Sequence, residues 1–319
     1  MLQIPSPAVK HYTKSSDRHN IDPQFASDWI EASVLFFEEV CFPDLVDSLV
    51  EEGYYDDQSL AWEGLSDVKR CLEGRRRLMN GNDLLVMEAN KIRLNTGKTW
   101  RDYPAYSFCL MLSLTHLYPE WYRKYSPDYI DQGALFEEVT AASLKSLFPC
   151  WEVQITGFSS GNPVNLPDVI SELSSKLNEV SDDPSKWFVS PGKMKEMGLD
   201  VVLYRPFSDN RGGLPLFMVQ CATGKNWNSK LATPDPDKWK FVIRFQADPN
   251  RAFSMPFSIS DDELKEAQTT NRGLILDRYR LINVPCPDET WVPDSLKKKL
   301  IDWLDSRIPH LEELSEVPE

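Results

Sequence analysis

The chain has 319 residues, of which 41% are hydrophobic and 11% aromatic, and its formal net charge is −14. This composition excludes a globally disordered chain, and the length favours two domains. No apolar run approaches the ~20 residues that span a bilayer, and residues 1–14 lack the charged-then-apolar pattern of a secretion signal. We therefore expect a cytoplasmic protein without membrane contact.

The cysteines and histidines do not predict a zinc site. The six cysteines are far apart without any CxxC pair, and the four histidines do not cluster. In a cytosolic chain such thiols are expected to be small buried side chains. A nucleophilic role for Cys221 would need a histidine nearby, and its segment has none.

The negative charge is unevenly distributed. Residues 193–251 contain ten Lys or Arg against six Asp or Glu, a local charge of +4 in an otherwise acidic chain. The overall charge argues against bulk attraction to nucleic acid. The local excess fits either a binding surface or ordinary solvation.

Residues 24–125 have apolar residues at helical spacing, with a reset at Pro43. The sequence predicts an all-α N-terminal domain, residues 1–128, with a regulatory or partner-binding role. The Arg75–Arg77 run within it is interpreted as a solvated helix face.

The pattern changes near residue 129. An amphipathic helix follows, with Phe136, Val139, Ser143 and Leu147 on one stripe. Five segments then read as strands: WEVQITGF, GLDVVLYRPF, LPLFMVQC, KFVIRF and GLILDRYRLINV. A closing helix starts near Asp294. This order predicts an α/β class protein, with a C-terminal α/β/α sandwich around a mixed sheet over residues 129–319.

Two of these strands flank the polar turn SDNRGG and form a predicted hairpin. If the turn centres on Asn210, residues whose numbers sum to 420 face each other. Val202 then opposes Met218, and Asp200 opposes Gln220, with Cβ atoms roughly 4.5–5.5 Å apart. An acid and an amide therefore meet at the open end of the hairpin, although a one-residue slip would separate them.

The GLD sequence, the hairpin, a Glu/Gln position with a lysine nearby and a preceding helix bearing FE resemble the PD-(D/E)XK nuclease superfamily. This is the restriction-endonuclease-like fold, and the FE helix resembles its Mrr-like branch. The resemblance covers roughly residues 130–285. It implies that Asp200 and Gln220 hold a divalent metal, Mg²⁺ or Mn²⁺, at the scissile phosphate. It also implies that Glu137 completes the metal shell, with Glu138 as the alternative.

The family's catalytic lysine is displaced in this chain. The position two residues beyond Gln220 is Ala222, and the first lysine is Lys225, after Gly224. Glycine lets the backbone turn sharply, so Lys225 could return to the site. Lys195, five residues before Asp200, is the other candidate.

Several neighbouring side chains are predicted to contact the substrate backbone, with Trp227 as a stacking surface. They are Lys193, Lys195, Asn226, Trp227 and Lys230. A core tryptophan closing the strand end is an equal alternative for Trp227. The segment DRYRL, residues 277–281, is interpreted as an internal Asp–Arg pair on a strand.

Each site residue also has a purely structural alternative. Asp200 could cap a turn, Gln220 could bond the backbone at a sheet edge, and Glu137 could be a solvated helix residue. The opposition of Asp200 and Gln220, followed by a lysine, favours function.

The resemblance implies a metal-dependent endonuclease that cleaves double-stranded DNA, with RNA as the alternative substrate. By family analogy its setting is restriction or anti-phage defence. A protein partner for the helical domain and a homo-oligomer stay open. One rival is a catalytically silent nuclease fold that binds nucleic acid or organises a defence complex, motivated by Ala222 and Gln220. The other is an adaptor whose acidic helical half is the functional part.

Overall fold

The computed structural model describes residues 1–5, 21–79, 84–118, 121, 123, 129–157, 165–191, 197–284 and 289–314. The helices are α1 Pro23–Phe37, α2 Phe42–Glu51, α3 Gln58–Leu78, α4 Pro104–Leu117, α5 Tyr129–Leu147, α6 Leu166–Leu177, α7 Pro236–Trp239, α8 Asp261–Asn271, α9 Arg278–Ile282 and α10 Asp294–Asp305. The strands are β1 Glu39–Cys41, β2 Leu85–Met87, β3 Lys91–Leu94, β4 Glu152–Ile155, β5 Val180–Ser181, β6 Val201–Tyr204, β7 Leu216–Cys221, β8 Ile243–Arg244, β9 Asn250–Ser254 and β10 Leu274–Leu276.

The chain divides into two compact units. The first unit comprises Met1–Ser126, Pro256–Ser260 and Arg278–Glu319, and the second comprises Pro127–Met255 and Asp261–Asp277. The predicted boundary at residues 128/129 lies beside the first division. Residues 256–260 and 278–319 were predicted to belong to the C-terminal domain, but they group with the first unit. Within the described residues, no helix is both long enough and apolar enough to cross a membrane.

The sequence predicted an all-α N-terminal domain, but the first unit also contains three strands. Strands β1, β3 and β2 form an antiparallel sheet in that order. These strands have only three or four residues, too few for alternation to separate them from loops. Helices α1, α9 and α10 contact α4, whose residues are all buried, as expected for a helix that is apolar on every side.

A network of buried charges connects four helices of the first unit. Arg75 on α3 donates to Asp28 Oδ1 at 2.8 Å and Glu31 Oε2 at 2.9 Å, both on α1. Arg278 on α9 donates to both oxygens of Asp28 at 2.9 Å and to Ser113 on α4 at 2.6 Å. The predicted solvated face is therefore wrong for Arg75, which is 3% exposed. The predicted strand is also wrong for Arg278, which lies in a helix.

The two guanidinium groups balance the two carboxylates of this network. Burial opposes the charge of Arg75 and Arg278, but Glu31 and Asp28 more than offset it and raise the pKa of both arginines. Tyr279 also donates to Glu31 at 2.8 Å. A buried charge that loses its partner is far more costly than an exposed one.

A third buried carboxylate in the first unit caps α4. Glu289 accepts hydrogen bonds from the backbone N–H groups of Ala105 at 2.7 Å and Tyr106 at 2.8 Å. The first turn of a helix has no partners of its own for these donors. Burial raises the pKa of Glu289 to about 7, although the two backbone donors favour its charged form.

The second unit contains a five-stranded sheet in the order β10-β9-β7-β6-β4. Strands β4, β6 and β7 pair antiparallel, whereas β7, β9 and β10 pair parallel. The predicted mixed α/β architecture is therefore confirmed. Side chains alternate between the faces of a strand, and α6 packs on the face that bears Val202 and Met218. Helix α5 lies on the other face, where Thr140 contacts Ser254 at 2.9 Å.

Two of the predicted strands are shorter in the structure, and in the GLILDRYRLINV segment only Leu274–Leu276 is a strand. In the KFVIRF segment only Ile243–Arg244 is a strand, and it pairs with β5 outside the main sheet. The main sheet instead takes Asn250–Ser254, which the sequence did not single out. The hairpin register is confirmed, since Val202 pairs with Met218 and Leu203 with Phe217.

We predict that Arg75→Met destabilises the protein by roughly 3–5 kcal/mol, because Asp28 and Glu31 would then share one buried guanidinium group. Denaturant unfolding measures this loss. The matched control is Arg77→Met on the same helix, whose side chain is exposed; it should change the unfolding free energy by less than about 0.5 kcal/mol. Equal effects of the two variants would contradict the network's role.

Glu289 predicts a pH dependence of stability. Its folded pKa, about 7, is above the ordinary value of 4.5, so the folded state retains a proton that the unfolded state releases. This contribution is complete below the unfolded pKa and is lost as the pH rises through the folded one. The unfolding free energy should therefore decrease between about pH 5 and about pH 7. Glu289→Gln should flatten this part of the profile, and an unchanged slope would argue against the assignment.

Candidate functional site

The hairpin brings Asp200 and Gln220 together at one end of the main sheet. The N–H of Asp200 donates to the carbonyl of Val219 at 2.9 Å, beside the last pair of the β6–β7 ladder, Val201 and Val219. Asp200 Oδ2 accepts from the N–H of Cys221 at 2.6 Å and from the Gln220 amide. Asp200 is 5% exposed and Gln220 is 7% exposed, so the pair lies largely out of solvent.

The Gln220 amide has neighbours on both sides. Its Nε2 atom faces Asp200 Oδ2 and the Cys221 carbonyl oxygen, the latter at 3.0 Å. Its Oε1 atom lies 3.1 Å from the hydroxyl of Thr233. A Cβ atom on Gly198 would lie 2.7 Å from Oε1, and Gly198 has a φ of +74° that other residues rarely adopt. A glycine is thus needed beside this amide.

Glu137 comes to the same end of the sheet from α5, and its side chain is buried. Its carboxylate lies against Gly157, where an added Cβ atom would be 2.5 Å from the carboxyl carbon. The N–H of Gly157 in turn donates to the backbone oxygen of Asp200 at 3.1 Å. Glu137 and Asp200 are therefore linked through one glycine.

The thiol of Cys221 is influenced by the charges of both carboxylates. Burial raises the pKa of its thiol well above the ordinary range, and the charges of Asp200 and Glu137 raise it further. Thr140, three residues after Glu137 on α5, bonds to the thiol and acts in the opposite direction. A raised pKa disfavours the thiolate, which is the nucleophilic form of cysteine.

Neither Ala222 nor Lys225 places an ammonium group at the position where the family has its lysine. Ala222 is buried, and the Lys225 side chain is exposed. Partial desolvation lowers the pKa of Lys225, whereas an adjacent carboxylate would raise it. Desolvation is the cause of this shift, and no carboxylate contributes to it. Lys193 and Lys195 lie outside the described residues.

The other predicted substrate contacts fall on a short 3-10 helix, Trp227–Lys230. Trp227 is buried and lies 6.2 Å from the ring of Phe253. The stacking surface is therefore corrected to the alternative, a core tryptophan, because a base cannot stack on an enclosed ring. Asn226 is exposed and Lys230 is half-buried.

Sequence reasoning missed Thr233, Gly157 and Gly198 as parts of the site. Glycines next to strand ends are a signal for close approach. Here Gly157 makes room for the Glu137 carboxylate, and Gly198 makes room for the Gln220 amide. Thr233 lies in a loop, so no periodicity could place it beside β7.

The donors at this site fit a hard divalent cation. Across the part of the chain that the structure describes, no cluster of three or more His, Cys, Asp or Glu is arranged to hold a metal. Two carboxylates, Asp200 and Glu137, are nevertheless what Mg²⁺ uses when substrate phosphate and water complete its shell. The oxygen-rich donors favour Mg²⁺ or Mn²⁺ over a soft metal.

We predict that Gly157→Ala displaces the Glu137 carboxylate, because the new Cβ atom would overlap it. Stabilisation by Mn²⁺, measured as the shift in melting temperature over EDTA, should be lost. Gly133→Ala on α5 is the matched control, since its Cβ atom would meet nothing within 4 Å; alanine should stabilise the helix by up to about 1 kcal/mol. Retention of the Mn²⁺ shift in Gly157→Ala would exclude Glu137 from the metal site.

No protein-family model, curated protein or solved structure matches this chain. Any functional assignment therefore depends on the geometry of Glu137, Asp200 and Gln220.

Proposed function

We propose that this protein is a metal-dependent nuclease that cleaves phosphodiester bonds, as an endonuclease on double-stranded DNA. The observation that carries the proposal is that Asp200 and Gln220 are hydrogen-bonded at one end of the mixed sheet. The Glu137 carboxylate lies against Gly157, whose N–H donates to the backbone oxygen of Asp200. Glu137, Asp200 and Gln220 come from a helix and two strands in the order that the PD-(D/E)XK resemblance implies. A restriction-endonuclease-like fold for the second unit belongs to the same proposal.

In this proposal the carboxylates of Asp200 and Glu137 hold Mg²⁺ or Mn²⁺. A cation held by these carboxylates would supply polarisation of the scissile phosphate and a more acidic bound water. The N–H of Cys221 and the amide of Gln220 fix the orientation of Asp200. Burial of the pair excludes bulk water, which strengthens every charge interaction at the site. A lysine, Lys225 or Lys195, offsets the negative charge that develops on the phosphate.

The biological setting that we propose is restriction or anti-phage defence, by analogy with nucleases that carry an unrelated helical region. Double-stranded DNA is the proposed partner, with RNA as the alternative. The first unit is proposed to regulate the nuclease or to bind a protein partner.

A catalytically silent nuclease fold that binds nucleic acid is the second candidate. Three observations favour it: Ala222 occupies the lysine position, the pKa of Lys225 is lowered rather than raised, and the Gln220 amide donates to Asp200. Salt-dependent DNA binding without cleavage would identify this candidate.

We predict that Asp200→Asn abolishes Mg²⁺-dependent cleavage of plasmid DNA, because it removes a metal-binding charge and retains the side-chain shape. Glu138→Gln is the matched control and should retain cleavage, since Glu137, its neighbour, is the acid that reaches Gly157. Gel assays with Mg²⁺ and with EDTA measure both variants. Undiminished cleavage by Asp200→Asn would refute the site.

The lysine variants separate the two candidate functions. Lys225→Met retains most of the apolar stem, and turnover should fall by roughly a hundredfold if its ammonium group supports the transition state. Lys195→Met should mainly weaken DNA binding and flatten its salt dependence. The reverse pattern would exchange the two roles. If neither substitution changes turnover, the silent fold becomes the leading candidate.

A further inference from the structure

The hydrogen bonds around Gln220 determine which way its amide points. On one side are two acceptors, Asp200 Oδ2 and the carbonyl oxygen of Cys221. An amide oxygen turned toward them would meet oxygen lone pairs only, so the NH₂ group must lie on this side. On the other side the Thr233 hydroxyl lies 3.1 Å from Oε1.

Thr233 does not reverse this orientation. Its hydroxyl also donates to the backbone oxygen of Lys230 at 2.6 Å, so Oε1 shares the single hydroxyl hydrogen with that oxygen. A hydroxyl group could accept from an NH₂ group as readily as donate to an oxygen. The two acceptors on the Asp200 side therefore decide the orientation.

An NH₂ group cannot bind a cation, since its nitrogen lone pair is delocalised and its hydrogens carry positive charge. The Gln220 oxygen, which could bind one, points to Thr233 and Gly198. Asp200 and Gln220 thus have different parts at the site. The Asp200 carboxylate can bind a metal, and the Gln220 amide donates a hydrogen bond that fixes this carboxylate.

We propose that Gln220 is a positioning residue, which holds the Asp200 carboxylate as a hydrogen-bond donor and does not bind the metal itself. Its contribution to catalysis rests on the proposed nuclease function, but its role toward Asp200 does not. This reverses the sequence-based expectation of Gln220 as a metal ligand. It also gives a reason for glutamine here, because a glutamate would place a second carboxylate against Asp200 Oδ2.

The first experiment is a double-mutant cycle on stability in EDTA, which needs neither metal nor activity. Gln220→Met retains side-chain length and removes the donor. The melting temperature should fall in the wild-type background and fall much less when Asp200→Ala is already present, because the hydrogen bond is then already lost. Equal losses in the two backgrounds would overturn the donor role.

The second experiment observes the amide directly in the unsubstituted protein by NMR. The side-chain NH₂ protons of Gln220 should exchange slowly with water, and saturation with Mg²⁺ should leave that protection in place. Loss of protection on Mg²⁺ addition, with a shift of the Gln220 side-chain carbonyl carbon, would show that the oxygen binds the metal and would overturn the proposal.

The third experiment measures cleavage by Gln220→Met. Positioning through Asp200 predicts a kcat lower by roughly tenfold to a hundredfold at an unchanged KM for DNA. Gln154→Met is the matched control, because the Gln154 amide also donates to a carboxylate, Glu172, at 2.8 Å in the same unit, and its kcat should not change. A kcat for Gln220→Met equal to that of the control would overturn the catalytic part.

These experiments separate the two proposals. If the unsubstituted protein does not cleave DNA under any metal condition, the nuclease proposal fails, while the mutant cycle and the NMR measurement still decide the role of Gln220. If cleavage is present and the mutant cycle shows no coupling, the nuclease stands and the positioning role fails.

Discussion

Asp200 is the residue on which the candidate site depends. Its backbone N–H donates to Val219 on β7, and its backbone oxygen accepts from Thr156 and Gly157 beyond the end of β4. Its side chain accepts from β7. One residue therefore joins three neighbouring strands at the position where they end. Such a residue cannot move without loss of several hydrogen bonds, which is the rigidity that a metal-binding carboxylate needs.

The sequence predicts those features of the site that depend on neighbouring residues in the chain. The register of the hairpin follows from strand alternation and from the centre of the turn, and it places Asp200 opposite Gln220. Glu137 was predicted as a site residue from the family resemblance, because nothing in the spacing of the helix singled it out. Its partner Gly157 needed the structure, because the approach of a helix to a strand end depends on tertiary packing.

The errors of the sequence analysis have a common physical cause. Arginine is rarely buried unless it is paired, and the partners of Arg75 and Arg278 lie far away in the chain. Strand β9 begins with Asn250, a residue type that strands disfavour, and it forms because β7 offers a parallel partner. Short strands such as β1–β3 likewise form through pairing across the sheet. None of these pairings can be predicted from the residues next to each other in the chain.

The buried pair of Asp28 and Arg278 has a consequence for synthesis. The two residues are 250 positions apart in the chain, so Arg278 can pair with Asp28 only after the residues between them have been synthesised. All the residues of the second unit, Pro127–Met255 and Asp261–Asp277, are made before Arg278. The second unit can thus form its sheet before α9, which belongs to the first unit, has been synthesised. For that interval Arg75 is the arginine of this network that has already been made, and a truncated product ending before residue 278 would lack Arg278 permanently.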